Sequence, residues 1–384
     1  MIAAATTARW RRRLLGLGAA VTLLLLLRWC VCDVLLVVER SMWPALEGGR
    51  DRVLLNRLAA QPARFEMWAY RCEKDDGTAD IRIKRVLALA GEALALRGGD
   101  VYTGPDAAHL QRALRTQDQV EWMRVALPGP HVARAQRWRA ESGTLQETAD
   151  GSLRLFAGAT GFHALVLGSV GPGADSVMDD CVGPGGLVHP GRHVVPDTRF
   201  SVQLFPVGGC LKLLHELFGD VRGVIVRGDK LCLHQELDPA AQSAAGSSSG
   251  AVLCTLPASG VLLHIETLDG MFRITAERAA GAQVLYEAAR DTLNGRALSR
   301  WSVQLDSGDA LLRPVDLSRD VHYFFGGGLA SVAAYQVGAD SCFTAGDNQP
   351  ISADSRSHGP VPHSHLLGRA ERILLPRARA RRLN

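Results

Sequence analysis

The sequence predicts a mostly β protein: an antiparallel β-sheet core behind one N-terminal transmembrane helix, interrupted by a large β-rich, sandwich-like insertion. Three observations predict it. Residues 14–27, LLGLGAAVTLLLLL, carry no charge. From residue 34 onward, short runs of alternating or β-branched apolar residues recur between Gly, Pro and Asp turns, the signature of half-buried strands. The character of the chain changes after residue 102 and changes back at 341. The expected parts are a basic tail and anchor (1–33), a first core segment (34–102), the insertion (103–340), a second core segment (341–376) and a basic tail (377–384).

Composition narrows the function. At 384 residues with 47% apolar side chains the chain is long enough for two cores, and a net charge of only +4 gives no field to steer nucleic acid. The arginines gather at the ends, Arg9 to Arg13 and Arg377 to Arg382. The uncharged run is short against the roughly 20 residues that a spanning helix needs. Arg28 can snorkel and Trp29 suits an interface, which extends the span to 14–33. A cleaved secretory signal would share these features, but no A-x-A site follows the run. The arginines before the span place the N-terminus in the cytoplasm and the rest on the outer face of the plasma (inner) membrane. Six of the eight cysteines then lie where disulfides are permitted, with no pairing indicated. There is no CxxC pair, so neither metal nor cofactor is expected.

The elements follow in order. VLLVVERSMWP reads as a strand leaving the membrane and ending at Pro44. A Gly turn leads to a strand at 53–55, FEMWAYR (65–71) is a third, and IRIKRVLAL (81–89) alternates apolar and basic residues before a hairpin through Tyr102. In the insertion, runs such as VRGVIV, KLCLHQEL, GVLLHIETL, MFRITAE and RWSVQLD suggest a β-sandwich or a partly open sheet, with QSAAGSSSGA as a flexible loop. The tail from Arg377 reads as lying free of the fold.

Chemistry centres on Ser41 and Lys84. A serine hydroxyl is a poor nucleophile without a base, and neither a Gly-x-Ser-x-Gly elbow nor an evident His–Asp pair is present. Strand alternation points Lys84 opposite to Ile83 and Arg85. On an apolar face its ammonium would lose hydration and deprotonate, which arginine cannot do.

With Leu46, Ser41-Met42-x-Pro44 resembles the nucleophile box of bacterial type I signal peptidases, the serine–lysine proteases that remove signal peptides. DRVLLNR (51–57) is similar to their second box, and IKRVLALAGEALALRGGDVY (83–102) to their lysine box and hairpin. Gly346-Asp347-Asn348 with Ser352, Asp354, Ser355 and Arg356 is similar to the last box. The resemblance covers roughly 34–102 and 341–376. It implies Ser41 as nucleophile, Lys84 as general base, Ser352 bonding and orienting the lysine amine, Asp354 and Arg356 paired nearby, and Asp347 holding the loop. It also implies a membrane-bound endopeptidase whose partners are the bilayer and the signal peptides of exported preproteins, with small residues one and three before the cut. The oligomeric state is not set by the sequence.

Several positions depart from the family. Glu39 stands two before the nucleophile, where Ser or Gly usually helps form the oxyanion hole, and its carboxylate would repel the developing charge unless protonated or turned outward. Ala45, Ala90, Arg50 and Gln349-Pro350-Ile351 are milder departures. Glu39 and the insertion motivate an alternative: a catalytically impaired, membrane-tethered binding or scaffold protein on the same core. His358, His363 and His365 read as a solvated loop, Arg227-Gly228-Asp229 as chance, and Asp179-Asp180 as a weak cation signal.

Overall fold

The computed structural model describes residues 31–73, 77–120, 122–125, 138–148, 152–169, 175–182, 188–236, 250–290 and 298–383, together with Gly16, Gly18 and Thr22. Among them no helix is long and apolar enough to cross a membrane, and the anchor expected at 14–33 lies almost wholly outside them. The protein is mostly β, in antiparallel sheets.

The core sheet uses β1 (Cys32–Leu36), β2 (Arg52–Asn56), β3 (Met67–Glu73), β4 (Ala79–Ala88), β5 (Ser341–Ala345), β6 (Val361–Pro362) and β7 (Leu366–Leu375). Their order across the sheet is β1-β2-β7-β3-β4-β5-β6. A strand from the second sequence segment, β7, thus lies between β2 and β3 of the first. Neither segment can bury its strands without the other, which is how the insertion interrupts the sequence without interrupting the sheet. One face packs Val53, Leu55, Met67, Ala69, Ala370 and Ile373 against Met42 and Leu46.

Two sequence expectations shift. The first strand ends at Leu36, not Pro44, and 39–46 form consecutive turns. The turn is tight where it folds back: a Cβ on Gly48 would lie 2.6 Å from the Glu39 carbonyl oxygen. The basic tail is also folded. β8 (Arg381–Arg382) pairs with β7, Leu383 is buried, and Arg379 holds the buried Asp51 carboxylate with Nε at 2.9 Å and Nη2 at 3.0 Å. Pairing with a buried carboxylate outweighs the solvation that favours a free tail.

The insertion is built on two facing sheets. One runs Thr144–Glu147, Leu153–Phe156, Asp309–Arg319, Thr198–Leu204, Val261–Leu268, Met271–Arg278, Gly281–Ala289. The other runs Val252–Thr255, Lys230–Glu236, Asp220–Gly228, Val207–Leu217, Ser299–Leu305, Phe162–Val166, Trp138–Ser142. Period-two burial, as in Thr198–Leu204 and Ser299–Leu305, turns one face of each sheet inward. Phe200, Leu263, Ile265, Phe272, Trp301 and Val303 fill the space between. The core hairpin (Ala93–Arg97, Asp100–Gly104) is flanked by Gln111–Arg112 and by Tyr335–Gln336, which carry the chain into and out of the insertion.

Candidate active site

The end of β4 is buried on both faces. Lys84 is only 2% exposed and Arg85 only 3%. Alternation sends their side chains opposite ways, and each finds a different environment. Arg85 grips Asp347 in a bidentate pair, Nε to Oδ1 at 2.9 Å and Nη2 to Oδ2 at 2.7 Å, and donates to the Phe65 carbonyl at 2.8 Å. Lys84 stands opposite Trp68 on β3. Its Nζ donates a short hydrogen bond to Ser41 Oγ. Burial strips the ammonium of water and lowers its pKa to about 8, against the opposing charges of Asp354, Glu39 and Asp347.

Ser41 sits in the turn after β1, 7% exposed. The turn is clamped from the loop after β5: Asn348 N donates to Ser41 O and Asn348 Nδ2 to Arg40 O, both at 3.0 Å. Gly346 fits closely here, because a Cβ would come within 2.4 Å of Ser41 O. Among the described residues the Ser41 N–H makes no backbone hydrogen bond, which leaves it able to donate to an oxyanion.

The remaining expected residues surround this pair. Asp354 caps the one-turn helix α1 (Ser355–His358), accepts from Gly346 N at 2.9 Å and takes the Arg356 guanidinium at 2.8 and 2.9 Å. Burial works to raise the Asp354 carboxyl, but Arg356 and the Gly346 N–H outweigh it and hold its pKa below the usual value. Ser352 does not follow the expectation. Among the described residues its buried Oγ does not bond the lysine amine, and it lies on the side of Asp354, whose carboxyl it helps hold low. The hydroxyl lies instead against Gly346, in the packing of the loop. Glu39 is exposed, at the lip of the site. His358 Nε2 meets Tyr70 Oη at 3.2 Å.

A groove of about 520 Å³ opens at the pair, between residues 35–39 and 79–84. Among the described residues β1 pairs with β2 alone, and β5 reaches β4 only from Arg85 onward, so there both walls present an unpaired strand edge. Such edges accept an extended peptide as an added strand. Val34, Leu36, Val38 and Ile81 are exposed beside it.

Sequence reasoning missed two supports. Tyr323, from the return of the insertion, donates its hydroxyl to Asp347 Oδ1 at 3.3 Å; nothing near it in the sequence signals this. Asn348 belonged to a recognised box but without a role, although its place directly after Asp347 was a usable signal.

The signal peptidase (peptidase S26) family model matches residues 279–375. The match contains the loop from Gly346 to Arg356 and supports membership of the signal peptidase family and a peptidase of that kind. Ser41 and Lys84 lie outside the matched range. No curated protein matches the chain. Among solved structures, a carbohydrate binding module from Bacillus subtilis is similar at 12% identity and TM-score 0.29, over 47% of this chain and 95% of that one. A legume lectin-like domain from Entamoeba histolytica is similar at 11% identity and TM-score 0.29, over 53% and 92%. An alginate lyase from Klebsiella pneumoniae is similar at 9% identity and TM-score 0.28, over 60% and 96%. Likeness at this level assigns no function.

Proposed function

We propose that the chain is a membrane-anchored serine endopeptidase of the type I signal peptidase kind, with Ser41 as nucleophile and Lys84 as general base. The observation that carries the reading is the hydrogen bond from the buried Lys84 Nζ to Ser41 Oγ at the floor of a groove with two open strand edges.

The steps follow from that geometry. An extended signal-peptide end adds as a strand between 35–39 and 79–84, which brings its scissile carbonyl to Ser41. Neutral Lys84 takes the hydroxyl proton as Oγ attacks, and the developing oxyanion receives the Ser41 N–H. Lys84 then gives that proton to the leaving amine, which leaves an acyl-serine. A water molecule, deprotonated by the now neutral Lys84, attacks the ester, and Lys84 returns that proton to Oγ as the new carboxyl departs. The Arg85–Asp347 and Asp354–Arg356 pairs hold the loop that clamps the nucleophile turn. The exposed Val34, Leu36, Val38 and Ile81 suit the lipid interface from which a preprotein presents its cleavage site. With the anchor inserted and its arginines cytoplasmic, the site works on the outer side of the membrane.

The test uses the full-length protein in detergent with a preprotein carrying small residues one and three before the cut. Cleavage is expected, and Ser41→Ala and Lys84→Ala should each reduce it by at least about a thousandfold while the protein stays folded. Full activity in Lys84→Ala would refute the dyad. The second reading, a catalytically impaired scaffold, is favoured by Glu39 at the lip of the groove. It predicts binding of the preprotein without product under conditions in which a control peptidase cleaves it.

A further inference from the structure

A second buried cluster lies where the sandwich meets the core. Asp100 comes from the core hairpin, Asp197 from the entry to the strand Thr198–Leu204, and Asp269 from the turn between Val261–Leu268 and Met271–Arg278. One carboxylate oxygen from each lies within 4.8 Å of the other two, which is twice a calcium–oxygen bond of about 2.4 Å. Asp320 approaches the same place, with its backbone N–H on Asp197 O at 2.9 Å.

The charges do not balance. Arg112 pairs with Asp100 at 3.0 Å, and Arg115 pairs with Asp269 at 2.6 Å, with Asp197 at 3.4 Å and with Asp320. Arg112 and Arg115 thus face four carboxylates, with Arg319 reaching only Asp320 from its own place beside Asp179 and Asp180, and Asp100 is here 3% and Asp197 4% exposed. Asp100 Oδ1 and Asp197 Oδ1 have no hydrogen-bond partner among the described residues. A buried carboxylate oxygen without a donor is costly, and such groups are found paired or on metal ions. The donor set is oxygen only, which suits a hard cation rather than zinc or copper.

We propose that a hard divalent cation of the calcium kind bridges Asp100, Asp197 and Asp269 and clasps the inserted sandwich to the catalytic core. It adds positive charge where carboxylates outnumber guanidiniums and gives the buried carboxylates of Asp100 and Asp197 a partner. The clasp also supports the peptidase site: Asp320 begins the segment that carries Tyr323, whose hydroxyl bonds Asp347. The sequence carries no ligand spacing for it, because its three ligands come from segments far apart in the chain.

In the absence of the cation the same deficit is met by protons, since burial raises both carboxyls, Asp100 to about 6. The experiment separates the two. Full-length protein in detergent is dialysed against chelator at pH 7.5 and titrated with calcium chloride, with bound calcium read by atomic emission and unfolding read by intrinsic fluorescence. One ion per chain and a calcium-dependent rise in melting temperature are expected. Asp100→Asn and Asp197→Asn should abolish the rise. If these variants fail to fold, the stoichiometry and chelator sensitivity of the wild-type protein still decide. No saturable binding of calcium, magnesium or manganese, with a melting temperature indifferent to chelator, overturns the proposal. So does a melting temperature that climbs on acidification and ignores calcium, which assigns the cluster to a shared proton. Neither readout depends on peptidase activity, so the proposal stands or falls apart from the proposed function.

Discussion

The catalytic sheet and the inserted sandwich are both antiparallel, but they handle buried polarity in opposite ways. Between the two sheets of the sandwich the buried His215 is held neutral. His215 lies flat on Trp301, with ring centroids 4.4 Å apart, and burial with the nearby Arg290 pushes its pKa well below the usual value. Its ring nitrogens meet Ser299 Oγ at 3.1 Å and Arg290 Nη1 at 2.9 Å. In the catalytic sheet two adjacent cations are buried, and only one is compensated. Arg85 has a carboxylate on two of its nitrogens, whereas Lys84 has the Ser41 hydroxyl. Burial of a group without its counter-ion weakens a fold and makes a base, so the place where compensation fails is the place where chemistry is available.

The largest expected effects test that contrast directly. Asp347→Ala leaves Arg85 buried without its partner and should cost about 3–5 kcal/mol. Trp301→Ala should cost a similar amount, about 3–5 kcal/mol, by opening a cavity between the sheets. The two should part in activity. Asp347→Ala is expected to lower the cleavage rate per folded molecule, because the loop that clamps Ser41 loses its anchor. Trp301→Ala should leave that rate near wild type at a temperature where both are folded. Denaturant unfolding combined with preprotein cleavage measures both quantities, and equal losses of rate would dissolve the distinction.

Next comes Lys84→Met, which removes the uncompensated charge and keeps the apolar stem. A pKa lowered from 10.5 to about 8 corresponds to roughly 3 kcal/mol of strain on the folded state. The unfolded chain holds the proton more tightly, so this penalty is complete below pH 8 and disappears as pH rises toward 10.5. The variant should therefore be inactive and up to roughly 3 kcal/mol more stable at pH 7, with the gain shrinking in alkaline buffer. Melting curves at pH 7 and pH 10 check it; a loss of stability at pH 7 would mean that Lys84 is held by a counter-charge after all.

The same pKa sets the rate profile. Only the neutral amine can take the serine proton, so kcat/KM in the free enzyme should fall about tenfold per unit on the acid side of pH 8 and level off above it. A limb near pH 6.5 would point to a histidine instead.

These features differ in how legible they were in the sequence. Ser41, Lys84 and the loop from Gly346 to Arg356 each belong to a short contiguous stretch that resembles a box of the family, and that resemblance, more than residue type or spacing alone, made them candidates. Strand alternation also separated Lys84 from Arg85 correctly. What escaped depends on distant partners. The Arg377–Arg382 tail reads as solvated because its partners, Asp51 and the Ala45 carbonyl, stand at the other end of the chain. The role of Ser352 was carried over from the family, but in this chain the hydroxyl is packed at Gly346. Gln349-Pro350-Ile351 departs from the family pattern where the insertion's Cys181–Val182 packs against it, which the insertion alone could explain. The sandwich was legible as many short strands, but its sheet order was not, because strand partners such as Thr198–Leu204 and Asp309–Arg319 are separated by all of residues 205–308.

The smallest expected effect concerns Glu39, the one departure beside the nucleophile. Its carboxylate is exposed at the lip of the groove, so water screens it from the oxyanion and the repulsion feared from the sequence is weakened. It still acts on the base, since its charge is among those that raise the Lys84 pKa. Glu39→Gln removes that charge and should move the acid limb of kcat/KM downward by a fraction of a unit. Near pH 7 more of the lysine is then neutral, and the variant should cleave a few-fold faster than wild type. Above the limb the two should converge if Glu39 acts only through Lys84. If the variant stays faster there, the carboxylate also reaches the oxyanion. A limb that moves upward would sink the account of Lys84, because it would mean that Glu39 favours the neutral amine.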